Sequence, residues 1–187
     1  MSVFVAEELS EVLNTKVVIG RINMGLLNRI IIDDVLLDDQ SGQEMLKVTR
    51  LSAKFDIMPF FKGKISISSV QLFGFNINLR KETPDSPPNF KFVLDAFASK
   101  DTVKKENSLD LRINSILIRR GRMSYHVLSE EETPGKFNAK HIQLQNIIAN
   151  ISLKALSKDS LNLGIKRLSL DEKASGFSLK KMSLKLV

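Results

Sequence analysis

Along most of the chain, apolar residues alternate with polar ones, as strands with one buried face require. The alternation carries a recurrent fault. Val17, Ile19, polar Arg21, then Ile22 and Met24 read as apolar-x-apolar-x-polar-apolar-x-apolar. The string recurs as Ile30-Ile32-Asp34-Val35-Leu37, Leu46-Val48-Arg50-Leu51-Ala53 and Ile65-Ile67-Ser69-Val70-Leu72. It returns as Leu111-Ile113-Ser115-Ile116-Ile118, Ile142-Leu144-Asn146-Ile147-Ala149, Leu163-Ile165-Arg167-Leu168-Leu170 and Phe177-Leu179-Lys181-Met182-Leu184. Chance at this apolar content gives roughly three or four such windows, so eight is an excess. Phe75, Ile77 and Leu79 extend the fourth copy, and Met123 and Tyr125 the fifth. A one-residue slip would normally turn every later side chain to the other face. A β-bulge at the polar position restores the apolar face and bends the strand. Repeated in every strand, it curves a long sheet into a trough; an ordinary twisted sandwich is the alternative.

Two segments carry helical spacing instead. Val5, Leu9, Val12 and Leu13 share one face of a helix over about 3–13, which Asn14-Thr15 can end. Phe90, Val93, Leu94 and Phe97 do the same over about 89–97, with Asn89 placed to cap it. Asp38 to Gly42 is turn chemistry, and 81–88, 98–107 and 129–138 are polar loops. None of these spacers has the pattern of a crossover helix, so antiparallel order is expected throughout. No domain boundary interrupts residues 1–187. The fold class is therefore mostly β, a curved antiparallel sheet or groove of bulged strands with two short helices.

Such a sheet has to cover its apolar face. Two short helices cannot cover eight or more strands, which leaves a second sheet, a closed barrel or an apolar ligand. A trough lined by Ile, Leu, Val and Phe suits acyl chains, each buried methylene contributing roughly 0.8 kcal/mol.

Charge changes this picture modestly. Lys and Arg number 28 against 21 acidic residues, a net charge of +7. That balance favours an anionic membrane surface or a nucleic acid, or else simply decorates the solvent face of strands. Arg80-Lys81, Arg119-Arg120, Arg122, Lys166-Arg167 and Lys180-Lys181 can contact phosphates. The few aromatic residues fall in the apolar phase, however, so stacking platforms for single strands are missing and no nucleic acid is expected. With no cysteine, the chain has no disulfide and no thiolate chemistry. No run of about 18 apolar residues is present, and Met1–Val5 is too short for a secretory leader.

Catalytic constellations are not evident, and neither an enzyme nor a cofactor is expected. His126 and His141 have no acidic or second histidine partner at ligand spacing in the sequence, so no metal site is expected. Asp33, Asp34, Asp38 and Asp39 lack the spacing of a calcium loop and read as strand-end and turn residues. Glu130 to Glu132 read as a solvated run. Nucleophile elbow, phosphate-binding loop and dinucleotide fingerprint are all absent.

The stretch from Val12 to Leu79 resembles the N-terminal region of AsmA/TamB-like proteins. The residues that carry the likeness are Thr15 to Ile22 (TKVVIGRI), the Asp34-Val35 strand running into Gly42, and Gly63-Lys64-Ile65-Ser66-Ile67. Asn89 to Phe97 (NFKFVLDAF) is similar to the form found in Bacteroidetes TamB proteins. The likeness is specific over about residues 10–97 and rests on generic strands beyond.

This resemblance implies a translocation and assembly module protein of the cell envelope, anchored in the inner membrane and crossing the periplasm. Its long β-taco groove would carry phospholipids toward the outer membrane, and a BamA-like outer-membrane partner would bind a part beyond this chain. The chain would then be an N-terminal segment cut at its C-terminal end, its anchor missing. Its first helix would flank the groove entrance, and its excess cations would favour anionic head groups at the inner-membrane surface. On this reading the groove lining is Ile65, Ile67, Val70, Leu72, Phe75, Ile77, Leu79, Leu111, Ile113, Ile116, Ile118, Met123 and Tyr125. The rival reading is a scaffold for outer-membrane protein assembly that binds substrates through exposed strand edges.

Overall fold

The computed structural model describes residues 2–26, 28–55, 65–98, 109–110, 114–157 and 160–185. Helix α1 (Ser2–Leu13) leads into a meander of β1 (Val17–Gly25), β2 (Arg29–Asp38), β3 (Glu44–Phe55) and β4 (Ile65–Lys81). Helix α2 (Lys91–Ala98) and the two-residue β5 (Leu109–Asp110) follow. A second meander comprises β6 (Ser115–Val127), β7 (His141–Ser157), β8 (Ser160–Glu172) and β9 (Ser178–Lys185). All belong to one open sheet of order β1-β2-β3-β4-β6-β7-β8-β9, with β5 paired to the start of β4. The mostly-β class and the two short helices are as the sequence predicts.

The pairing departs from that prediction at one place. β4 and β6 run parallel, from Ser69↔Ser115 to Lys81↔Val127, so the sheet is mixed rather than antiparallel throughout. A parallel neighbour requires the chain to return along the whole strand before it can pair again. Residues 82–114, which contain α2, make that return. Read as two polar loops around an isolated helix, they hid the crossover.

Kinked, unpaired positions form a line across the sheet. Ladder pairing skips Gly20 opposite Asp34, Asp34 opposite Thr49, and Thr49 opposite Gly74, then resumes in the same register. The line continues where β4 pairs β6 on either side of Gly74 and Arg120, and where β7 steps past Asn146. Asp34, Gly74, Arg120 and Asn146 all have left-handed backbones, with φ between +54° and +64°. Because neighbouring strands kink together, their apolar phases shift together and registry survives. Asp34 and Asn146 are kinks the sequence pattern predicts. In β1 and β3 the skipped positions are Gly20 and Thr49 rather than Arg21 and Arg50, and in β4 and β6 the kinks on this line fall at Gly74 and Arg120 rather than Ser69 and Ser115, although the β3–β4 pairing does also shift between Lys54 and Phe55.

Two close contacts make glycine necessary here. A Cβ at Gly74 would lie 2.7 Å from the Thr49 hydroxyl, which donates to the Gly74 carbonyl at 3.1 Å. A Cβ at Gly121 would lie 2.3 Å from the ring of Phe75 and 3.0 Å from Cβ of Ile147. Phe75 therefore occupies the space that a side chain at Gly121 would fill.

Both helices pack at one end. Ala6 of α1 joins Val17, Ile19, Leu37 and Met45 in a buried cluster, flanked by Leu13 of α1 and by Phe90, Phe92 and Val93 at α2. The buried face of α1 thus runs through Ala6, Ser10 and Leu13, so that of the predicted stripe Leu13 packs inward while Leu9 and Val12 are exposed. Ser10 explains the difference: its hydroxyl accepts from the Val17 N–H at 3.0 Å and fastens the helix to β1. Asn14, with φ +48°, ends α1 as expected. Asn89 does not cap α2. Its carboxamide oxygen accepts from the Arg80 N–H, and its nitrogen donates to Asp39 and to the Asn78 carbonyl.

Candidate functional site

The register aligns the apolar positions of successive strands into rows that run across the sheet. Ile22, Ile32, Leu51, Leu72, Ile118, Ala149, Leu168 and Met182 are cross-strand neighbours from β1 to β9. The next row is Met24, Ile30, Ala53, Val70, Ile116, Ile151, Ile165 and Leu184. Neither row contains a polar residue. Beyond the kink line, Val17, Leu37, Leu46, Ile77, Met123 and Leu144 form a third row, which ends against Glu172. Leu79, Tyr125 and Ile142 begin a fourth.

Of the predicted lining, Val70, Leu72, Phe75, Ile77, Leu79, Ile116, Ile118, Met123 and Tyr125 thus lie in β4 and β6 at positions of this face. Ile65 and Ile67 belong to β4, and Leu111 and Ile113 fall outside the described residues. Val48, Phe75 and Ile147 are buried at the centre, packed by Leu51, Leu72, Ile118 and Leu170 among others. The sequence reading confined the lining to two strands, yet Val48, Leu51, Ile147 and Leu170 belong to it equally. Their signal was the same three-residue step, Val48 to Leu51 and Leu144 to Ile147.

The sheet is open, with β1 and β9 as its two edge strands among the described residues. The helices sit over β1 to β3 and leave the face of the later strands without a helix partner among the described residues.

The opposite face is polar and cationic. Arg21, Asp33 and Arg50 line up across β1, β2 and β3. Arg50 Nε donates to Asp33 at 2.6 Å, with Arg21 at 3.9 Å. The Arg50 hydrogen bond outweighs the cost of burial and holds the Asp33 carboxyl below its ordinary range. Further along, the Arg120 guanidinium stacks 5.1 Å over the Phe73 ring.

Two buried carboxylates fasten the sheet's end. Asp39, 2% exposed, pairs with Arg80 at 2.7 Å and accepts from the N–H groups of Ser41 and Gln43 and from Asn89. Burial works against its ionisation, but the bonds from Ser41, Asn89 and Gln43 prevail and keep its pKa low. A cleft of about 690 Å³ opens beside it, between the end of α1, the start of α2 and the Arg80–Glu82 corner. Glu172, also 2% exposed, accepts from Ser175, Ala174 and Gln143 N–H groups and from the Ser175 hydroxyl. These bonds overcome its desolvation and bring its pKa down to about 2.

The histidines require a correction. They are register partners at the end of the β6–β7 ladder, with Nδ1 atoms 3.0 Å apart and Glu132 beside both. Glu132 is therefore not merely part of a solvated run. Among the described residues, this is the group of three or more ligating side chains whose atoms come within 4.8 Å of one another.

A scan against protein-family models finds no match to this sequence, and a search of curated proteins finds none either. No helix among the described residues is long and apolar enough to cross a membrane.

Proposed function

We propose that this chain is a lipid-conducting groove, the N-terminal segment of a TamB/AsmA-like protein that moves phospholipids between the two envelope membranes. The observation that carries the reading is the pair of wholly apolar rows spanning eight strands. A row of aliphatic side chains with no polar interruption gives an acyl chain equal contact at each strand, which favours sliding over capture at one place. The work needs no catalytic residue. The open sheet and the one-ended placement of the helices agree with an occupant that comes and goes. The cationic opposite face suits a segment held near the anionic surface of the inner membrane.

Native mass spectrometry of the chain purified without strong detergent tests this reading. Phospholipid should co-purify and should be lost in Leu72→Asp or Ile116→Asp protein that keeps its strand signal in circular dichroism. Folded wild-type protein that carries no lipid, alone or after incubation with vesicles, refutes the proposal.

A second reading, a scaffold for outer-membrane protein assembly that binds through a strand edge, is favoured by the outer edge of β1, which among the described residues pairs only with β2. Under that reading, binding of unfolded strand peptides survives Leu72→Asp.

A further inference from the structure

We propose that His126, His141 and Glu132 form a site for a zinc-class divalent metal ion at the end of the β6–β7 ladder, with one coordination position open to solvent. The argument starts from a proton. His141 is buried, and its Nε2 lies 2.9 Å from the carbonyl oxygen of Glu130. A carbonyl only accepts, so Nε2 carries the hydrogen, and in the neutral imidazole Nδ1 is left with its lone pair. That nitrogen lies 3.0 Å from Nδ1 of His126, with the rings tilted by 54°.

A tetrahedral zinc ion with bonds of about 2.0–2.1 Å to nitrogen sets its ligand atoms roughly 3.3 Å apart. The two imidazoles are already within a few tenths of an ångström of that spacing. Glu132 Oε1 stands 3.8 Å from one Nδ1 and 4.0 Å from the other. Its side chain is 64% exposed and free to close the remaining gap.

The supporting contacts are of the kind ligating histidines use. The bond from His141 Nε2 to a backbone carbonyl fixes both tautomer and ring orientation. The hairpin that supplies Glu132 is itself held, because Lys140 pairs with Glu130 at 2.6 Å and Asn138 bonds the Glu131 carbonyl at 3.1 Å. Arg80 of β4 is the register partner of His126, but its guanidinium is engaged by Asp39. Two imidazoles and one carboxylate select zinc, cobalt, nickel or copper over magnesium and calcium. Three protein ligands leave the fourth position to water or to an outside donor.

The test uses the full chain without a histidine tag, stripped with chelator and titrated with Zn²⁺ in competition with a chromogenic chelator. One equivalent should bind, and Co²⁺ should produce a visible ligand-field band. Glu132→Gln, an exposed change that leaves the fold intact, should weaken binding about tenfold or more. His126→Asn should weaken it at least a hundredfold, with circular dichroism checking the fold. Three results overturn the proposal: no stoichiometric binding by wild-type protein, affinity unchanged in both variants, or loss of binding on Glu131→Gln instead.

Discussion

Replacing Gly121 with alanine puts a methyl group where the Phe75 ring sits. The added carbon would stand 2.3 and 2.4 Å from two ring atoms and 3.0 Å from Cβ of Ile147. Carbon atoms in comfortable contact are about 3.5–4.0 Å apart, so the ring has to retreat by an ångström or more. It has little room, because Phe75 and Ile147 are both buried at the centre of the sheet face. Overpacking of this kind costs about 1–3 kcal/mol, and the closeness of two neighbours places it in the upper part of that range. Gly121 is not among the left-handed residues, so alanine brings no backbone strain and the loss reports the clash alone. In a chain of this size the melting temperature should fall by about 4–10 °C.

A double-mutant cycle in urea isolates the cause. Phe75→Leu alone leaves a cavity and costs about 1–3 kcal/mol. Combined with Gly121→Ala it should cost at least about 1 kcal/mol less than the two single changes added, because the shorter side chain vacates the space. Strict additivity, or a Gly121→Ala protein as stable as the parent, refutes the claim that the ring fills the glycine's place.

Other expectations follow from the buried carboxylates. Glu172, with a folded pKa near 2 against an ordinary 4.5, contributes stability that is present above about pH 4.5 and lost as pH falls toward 2. The urea midpoint of the wild-type chain should therefore drop across that window, and Glu172→Gln should flatten the drop. Asp39→Ala removes the carboxylate partner of Arg80, leaves the Ser41 and Gln43 N–H groups unsatisfied and should cost about 3–5 kcal/mol; Arg80→Met with Asp39→Asn should recover part of it. Breaking the Arg50–Asp33 bond by Arg50→Ala should raise the Asp33 pKa, measurable by carboxyl-selective NMR titration, because its largest stabilising contact is gone.

Local pattern carried the strands and the apolar face, because a phase shift of three is written into the order of residues wherever a strand kinks. The Asp34 and Asn146 kinks were legible for that reason. Those at Gly74 and Arg120 were written in the steps Leu72 to Phe75 and Ile118 to Met123, but the nearer steps across Ser69 and Ser115 masked them. Pairing direction is not local. The alternation in β6 is the same whether it runs with or against β4, so the crossover was legible only in the length of 82–114. The histidine pair lay hidden for a similar cause. His126 and His141 stand fifteen positions apart, and only the β6–β7 registry brings them face to face. The stripe on α1 was misplaced at Leu9 and Val12 because a serine, polar by type, had a backbone N–H of β1 to satisfy.

The parallel junction between β4 and β6 also bears on the order in which the molecule assembles. Every antiparallel ladder here joins strands consecutive in the chain, whereas Ser69 and Ser115 must meet across 46 positions. Closing that longer loop costs about 1–2 kcal/mol more than closing a hairpin, before the β4–β6 contacts form to offset it. The two meanders are thus expected to nucleate separately, each zipping from its own turns, and to dock late through β4 and β6. The line of kinks then acts as an alignment key, since the halves mate along their full length only when Gly74 comes level with Arg120.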